Sequence, residues 1–306
     1  MLQDNAPLAR DPLWPRADVW LAGEGTEPEV LVVGVPSSTA SLSPSRADLS
    51  PGAVRERLSR FSTYHGEYQI DFGDIPVADM GNWAVSELGM NEMPAVVEEL
   101  ARHLPDAPLT LFLGGDNAIT RPLVKATSED LTRVGVITFD AHHDVRSLAG
   151  GPSNGSPMRG LVEEDGLPGA NIHQIGIHSF ANSAPYRAYC DKVGISVTTL
   201  RQVEESGVED AVGNALTSLA KRCDNIYVDV DIDVLDRAFA PACPGAQPGG
   251  MTVRQLANAV RLCGTHPKVS AIDLVEVDAS VDPNGLTLDS MAHLVLTAVV
   301  GFAMRQ

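Results

Sequence analysis

The run VGVITFDAHHDVR, residues 134–146, sets an apolar, largely β-branched segment directly before Asp140, His142, His143 and Asp144. Val134–Phe139 reads as a buried strand, consistent with a short continuous apolar run covered on both faces. If the chain stays extended beyond Phe139, side chains alternate. Asp140, His142 and Asp144 then point one way, while Ala141 and His143 point the other. Two carboxylates around one imidazole at a strand end form a ligand array for a divalent metal, since such oxygen and nitrogen donors suit Mn, Zn, Fe or Ni. A solvated polar loop is the competing reading of the same residues.

Outward from this stretch the pattern repeats. VLVVGVP (30–36), LTLFLGG (109–115), NIYVDVD (225–231) and VSAIDLV (269–275) are apolar runs, and further strands are expected at 75–80, 171–177 and 195–198. Helices are expected at 51–61, 92–103, from about 119, and at 158–164, 185–192, 208–221, 253–263 and 289–304, with Pro51 opening the first. Strands separated by helices predict an α/β fold with a mostly parallel sheet and helices on both faces. No repeat, low-complexity tract or linker divides the chain, so residues 1–306 are expected to form one domain.

In such sheets ligands bind outside the carboxyl ends of the strands. The polar residues fall there: Asp116 and Asn117 after LTLFLGG, Asp140 to Asp144 after VGVITF, Asp229, Asp231 and Asp233 in VDVDIDVLD, and Glu276 and Asp278 after AIDLV. Carboxylates crowded at one edge are unfavourable without a cation between them. Asp229, Asp231 and Asp233 alternate with Val and Ile, which predicts all three on one side, one of them bridging a metal pair of the kind that generates a hydroxide at neutral pH.

With 306 residues the chain can bury a sizeable core, and its 22 basic against 40 acidic residues give a formal charge of −18. That balance argues against nucleic acid or an anionic membrane as partner, so an anionic small-molecule substrate would need a local arginine. Cys190, Cys223, Cys243 and Cys263 show no CxxC spacing and read as reduced thiols. The N-terminal stretch carries Asp4 and prolines where a signal peptide needs an apolar core, and no run of 18 apolar residues follows. A cytoplasmic location is expected.

GGDNAIT, DAHHD, DVDIDVLD and EVD, in this order, resemble the ureohydrolase superfamily of arginases, agmatinases and formimidoylglutamases over roughly residues 30–300. The resemblance implies a three-layer α/β/α arginase-like fold and a binuclear manganese centre that hydrolyses guanidino or amidino C–N bonds. Position by position it implies Asp140, His142, Asp144, Asp231 and Asp233 as metal ligands, with Asp140 and Asp231 bridging. Asn117 stands where a histidine ligand is usual; an amide oxygen is a neutral, weaker donor, so of two Mn2+ per subunit one is expected to be held loosely. Glu276 would hold the cationic amidine or guanidine, and Asp144 would orient the nucleophile and pass its proton to the leaving amine. Trimers or hexamers are the oligomers the resemblance suggests.

Asn154, in SNGSP, occupies the place of the arginase proton-shuttling histidine, which argues against arginase itself. Arg237 replaces a proline after DVLD and reads as a loop change. Arg146, two residues beyond DAHHD, is implied to lie where the substrate's distal end binds, and an arginine there can pair bidentately with a carboxylate. The substrate so predicted is N-formimidoyl-L-glutamate, as in histidine degradation, releasing glutamate and formamide; the cationic end of agmatine would be repelled. Asn154 and Arg159 are further substrate-binding candidates, and a surface ion pair is the other reading of Arg146. His143 is expected to face away from the metals, His173 and His178 to be structural, and Asp278 to stand behind the site. Two alternatives remain: an agmatine or guanidino-acid ureohydrolase releasing urea, and a catalytically silent relative with a binding or regulatory role, suggested by Asn117 and Asn154.

Overall fold

The structure, a computed structural model, describes residues 11–23 and 27–305; the lead-in around Asp4 lies outside the described residues. The strands are β1 (Val30–Val35), β2 (Tyr64–His65), β3 (Ile70–Asp71), β4 (Val77–Asn82), β5 (Leu109–Gly114), β6 (Val134–Phe139), β7 (Ile172–Ile177), β8 (Ser196–Thr199), β9 (Asn225–Asp231) and β10 (Val269–Val275). The helices are α1 (Ala17–Leu21), α2 (Ser50–Leu58), α3 (Met93–Arg102), α4 (Thr120–Ala126), α5 (Pro157–Glu163), α6 (Ala184–Val193), α7 (Leu200–Ser206), α8 (Val208–Ala220), α9 (Val253–Thr265) and α10 (Leu286–Ala303).

Eight strands form one sheet in the order β4-β1-β5-β10-β9-β6-β7-β8, every neighbouring pair parallel, while β2 and β3 make a separate antiparallel hairpin. Parallel strands need crossovers, and the crossovers put helices on the faces. Val54 and Leu58 of α2, with the apolar sides of α7 to α10, cover one face; Met93 and Val97 of α3, Leu123 of α4 and Leu161 of α5 cover the other. β1 and β6 are therefore buried along their whole length, as their unbroken apolar runs require. This is the expected three-layer α/β/α arrangement with a mostly parallel central sheet.

Two helices and the β2–β3 hairpin add to the expected elements. Helix α7 carries a local signal, a capping box in which Thr199 and Gln202 satisfy each other's backbone N–H. Segment 283–303, which contains α10, is long and apolar enough to cross a membrane, yet 78% of its most apolar window is buried inside the protein. It approaches α9 so closely that a Cβ on Gly301 would lie 2.3 Å from the Arg261 carbonyl oxygen. Close backbone packing of this kind marks α10 as a core helix.

Candidate active site

The four central strands β5, β10, β9 and β6 end together, with Val275 opposite Asp231 and Phe139 opposite Val230. Asn117, Glu276, Asp231 and Asp140 therefore leave the same edge side by side. Beyond Phe139 the chain does not stay extended. Asp144 has φ of 51° and Glu276 has φ of 72°, a left-handed conformation that costs about 1–3 kcal/mol at a residue with a Cβ. The Asp144 carbonyl oxygen accepts from Met158 N at 3.2 Å and Arg159 N at 3.3 Å, so the start of α5 holds the bend. Asp140, His142 and Asp144 thus converge through a turn, which corrects the expectation that simple alternation aligns them.

A second correction concerns VDVDIDVLD. Asp231 ends β9 and Asp233 sits on the 3-10 turn Ile232–Val234, where its N–H donates to Asp231 Oδ1 at 2.9 Å. Asp229 shares a sheet face with Asp231 but lies one step deeper, level with Asp273 and Thr138 of the flanking strands and fully buried. It does not line the pocket.

His142 Nδ1 lies 2.7 Å from Asp233 Oδ2 and 3.5 Å from Asp140 Oδ1. Asp140, His142 and Asp233 each bring a donor atom within 4.8 Å of the others. Asp140 Oδ2 is buried with no hydrogen-bond partner. Among the described residues, no lysine or arginine pairs with Asp140, Asp144, Asp231, Asp233 or Glu276; the only cation in contact is His142. An unpartnered oxygen within a set of oxygen and nitrogen donors fits a divalent cation of the manganese or zinc type.

The electrostatics carry the same message. Burial, then the neighbouring Asp233, pushes the Asp140 carboxyl up to about 7; burial, then Asp116, pushes Glu276 up to about 8. Burial, then the surrounding carboxylates, raises Asp144 and Asp231 well above the ordinary range. For His142 burial works the other way, but Asp233 and Asp140 outweigh it and hold the imidazolium up to about 12. Asp233, which burial would raise, falls below its ordinary value because His142 faces it. Raised carboxyls of this kind favour the protonated form until a positive charge is brought among them.

A raised carboxyl favours folding fully below its unfolded pKa of about 4, and that contribution is lost as pH rises through the folded value, by up to about 1.4 kcal/mol per pH unit per group. For Asp140 and Glu276 the loss is complete only above about 7 and about 8. A bound cation replaces those protons, so the gain in Tm on adding Mn2+ to chelator-treated protein should grow steadily from about pH 5.5 to 8.5. Differential scanning calorimetry across that range is the check, and a gain independent of pH would contradict the assignment of these carboxylates to a cation.

Above the carboxylates opens a pocket of about 140 Å³, lined by His142, Asp144, Asp231, Asp233 and Glu276 at its base and by Arg146, Asn154 and Tyr186 nearer the mouth. Arg146 is exposed. Its backbone N–H donates to Gly155 O at 2.9 Å, whereas its guanidinium makes no ion pair or hydrogen bond among the described residues. Asn154 is held by Leu42 N, which donates to its Oδ1 at 3.1 Å, and its own Nδ2 donates to Glu276 Oε1 at 3.0 Å. Asn117 N donates to the same oxygen at 2.8 Å, and Asn117 Nδ2 donates to Asp144 Oδ2 at 2.6 Å.

Arg159 does not reach the pocket: its Nε donates to Val145 O at 2.7 Å, it pairs with Glu163 at 3.1 Å, and it stacks 4.0 Å from the Tyr189 ring. Its place at the start of α5 directs it along the helix, which removes it from the substrate-binding candidates. His143 turns away from the carboxylates, its Nδ1 2.7 Å from Gln174 Oε1. His178 Nε2 lies 3.1 Å from Val234 O, beneath the Asp233 turn. Asp278 is spent on capping, accepting from Ser280 N at 3.0 Å. Arg237 Nη1 donates to Ala246 O at 3.0 Å and braces the loop that carries Gly245.

Sequence reasoning gave no role to Tyr186, Asn182 or Gly245. Asn182 clamps the loop at 140–144, accepting from His143 N at 2.8 Å and donating to Ala141 O at 2.9 Å. Gly245 is required by closeness: a Cβ there would lie 2.5 Å from Asp233 Oδ2. The available signals were the Asn-Ser-Ala-Pro run that opens α6 and the Pro-Gly pair at 244–245.

Residues 28–301 match the family described as the arginase family. A formimidoylglutamase of Halalkalibacterium halodurans is 36% identical over 302 residues, 97% of this chain and 95% of that protein. The formimidoylglutamase of Bacillus subtilis strain 168 is 35% identical over 284 residues, 89% of this chain and 87% of its own length. The crystal structure of formimidoylglutamase from Bacillus subtilis superposes with a TM-score of 0.90 at 33% identity, covering 96% of this chain and 93% of that one.

Proposed function

The chain belongs to the arginase family, and from that premise we propose that it hydrolyses N-formimidoyl-L-glutamate to L-glutamate and formamide with manganese as cofactor. The observation that carries the reading is the unpaired Arg146 guanidinium facing a pocket whose floor is made of carboxylates. Such a site takes a substrate that is cationic at the reacting end and anionic at the other. N-Formimidoyl-L-glutamate has an amidine and two carboxylates. The formimidoylglutamases at 36% and 35% identity support the same choice.

Asp140, His142, Asp144, Asp231 and Asp233 would hold the manganese pair, with Asn117 as the weaker sixth donor; when bound, the ions supply an activated water and neutralise developing negative charge. Glu276, fixed by the N–H groups of Asn117 and Asn154 on one oxygen, offers its other oxygen to the amidinium. Loss of the Glu276 proton on meeting a cation is favoured, because the cation removes the charge crowding that keeps it there. The Asp144 carboxylate takes the proton released as water adds to the formimidoyl carbon and delivers it to the glutamate nitrogen. The bond between that carbon and nitrogen then breaks, leaving formamide and glutamate. Arg146, which lines the pocket together with Tyr186, holds the carboxylate end during the sequence.

The whole chain, 1–306, is taken as one ureohydrolase domain, working in the cytoplasm as a homo-oligomer of three or six subunits. All four cysteines are free and buried, as a reducing compartment leaves them.

The test is a substrate panel with Mn2+ supplied: formimidoylglutamate, agmatine and guanidino acids, with formamide, glutamate and urea as readouts. Formamide and glutamate are expected from the first alone. Urea from a guanidino acid with no formamide would replace the proposal by a guanidino-acid ureohydrolase, and no product with bound metal would favour the catalytically silent alternative. Arg146→Ala should raise KM for formimidoylglutamate about 10- to 100-fold, the loss of a charge-assisted hydrogen bond, with kcat nearly unchanged. An unaltered KM would remove Arg146 from substrate binding.

A further inference from the structure

Thr120 Oγ1 sits between two acceptors, 2.7 Å from Asn117 Oδ1 and 2.7 Å from Asp273 Oδ2. Tyr227 OH donates to the same Asp273 oxygen at 2.8 Å. Asn117, Thr120, Tyr227 and Asp273 are all fully buried, so no bulk water can repair a mismatch. A hydroxyl carries one proton. It cannot serve both oxygens, and a carboxylate is the stronger acceptor. Once the proton goes to Asp273, Thr120 offers Asn117 only a lone pair, and Asn117 must answer with Nδ2.

The two ends of a primary amide have the same shape, so half a turn about Cβ–Cγ exchanges them without repacking. That turn satisfies Thr120 and brings Asn117 Oδ1 toward Asp144 Oδ2, the atom Nδ2 approaches at 2.6 Å. Two acceptors that close are held apart by repulsion unless a cation lies between them.

We propose that Thr120, oriented by Asp273, is a positioning residue that turns the oxygen of Asn117 toward the manganese pair, making a neutral side chain a usable sixth donor. The proposal rests on the metal-site reading above. Partners behind a ligand commonly change metal affinity about 10- to 100-fold.

Mn2+ titration by calorimetry, with electron paramagnetic resonance to separate one bound ion from a coupled pair, is the test. T120V should weaken one of the two equivalents about 10- to 100-fold and T120S should restore it to within a few-fold; T120A reports the same loss should T120V fold poorly. The deciding arm is N117D. A carboxylate has oxygen at both ends and nothing to orient, so T120V in that background should leave Mn2+ affinity unchanged. Equal weakening in both backgrounds, or none with Asn117 in place, overturns the proposal while leaving the metal site standing. Wild-type protein that takes up no Mn2+ overturns both.

Discussion

Asp231→Ala is expected to lose manganese on dialysis and, with it, about 10³-fold or more of kcat/KM. Asp231 is 4% exposed, accepts the Asp233 N–H, and stands among Asp140, Asp233 and Glu276 at the carboxyl end of β9. Asp233 and Asp140 are the neighbouring charges that act most strongly on its carboxyl, which is the basis for proposing that it would be shared between two ions. Bound metal ions contribute several kcal/mol of transition-state charge stabilisation, and each 1.36 kcal/mol is a factor of ten in rate. The same substitution removes a buried carboxyl that burial and then Asp233 and Asp140 raise well above the ordinary range. Chelator-treated D231A should therefore gain heat resistance relative to chelator-treated wild type as the pH rises, a comparison that separates lost activity from misfolding. Metal content by mass spectrometry after dialysis against MnCl2, beside the rate, is the measurement. A variant that retains two ions and full activity would move the metal centre away from this sheet edge.

Glu276→Gln should lower kcat/KM for formimidoylglutamate about 10²- to 10³-fold with manganese content unchanged. Breaking one partner of a buried charge pair costs about 2–5 kcal/mol, here the carboxylate that meets the amidinium. Glutamine keeps an oxygen for the N–H groups of Asn117 and Asn154, which donate at 2.8 and 3.0 Å, so the change is one of charge and not of shape. Burial holds the Glu276 carboxyl up to about 8, so wild type forfeits stability when it ionises and E276Q does not. Thermal unfolding at pH 8.5 should accordingly show the inactive variant as the more stable protein. An active E276Q would transfer recognition of the amidinium to another group. Functional carboxylates commonly sit in such destabilised positions, and their removal exchanges activity for stability.

Much of this was legible along the chain. Apolar runs of six or seven residues ending in Asp or Glu locate β5, β6, β9 and β10, and strand ends are where an open parallel sheet presents ligands. Asp140, His142, Asp231 and Asp233 stand out as candidates by residue type and short spacing, although the alternation expected of them gives way to turns. The β2–β3 hairpin, only two residues on each strand, is too brief to show a period. What lay outside local reading are contacts between segments distant in the chain. Asn154 and Glu276 are 122 residues apart, and their hydrogen bond decides that Asn154 positions a carboxylate. Arg159 and Arg146 look equivalent as arginines near one loop, yet one is bonded to Val145, Glu163 and Tyr189 while the other lines the pocket with its guanidinium unpaired among the described residues.

By itself the order of residues determined the layered architecture, the strand ends that carry the acids, and which polar residues are candidate donors, because hydrophobic periodicity and side-chain chemistry are properties of short stretches. The tertiary structure alone decided how those donors meet. The left-handed turns at Asp144 and Glu276, the 3-10 turn that folds Asp233 back on Asp231, and the sinking of Asp229 into the sheet depend on what packs behind each backbone segment. Strained dihedrals and unpaired charges persist only where surrounding contacts over-determine them, and those contacts come from the whole sheet.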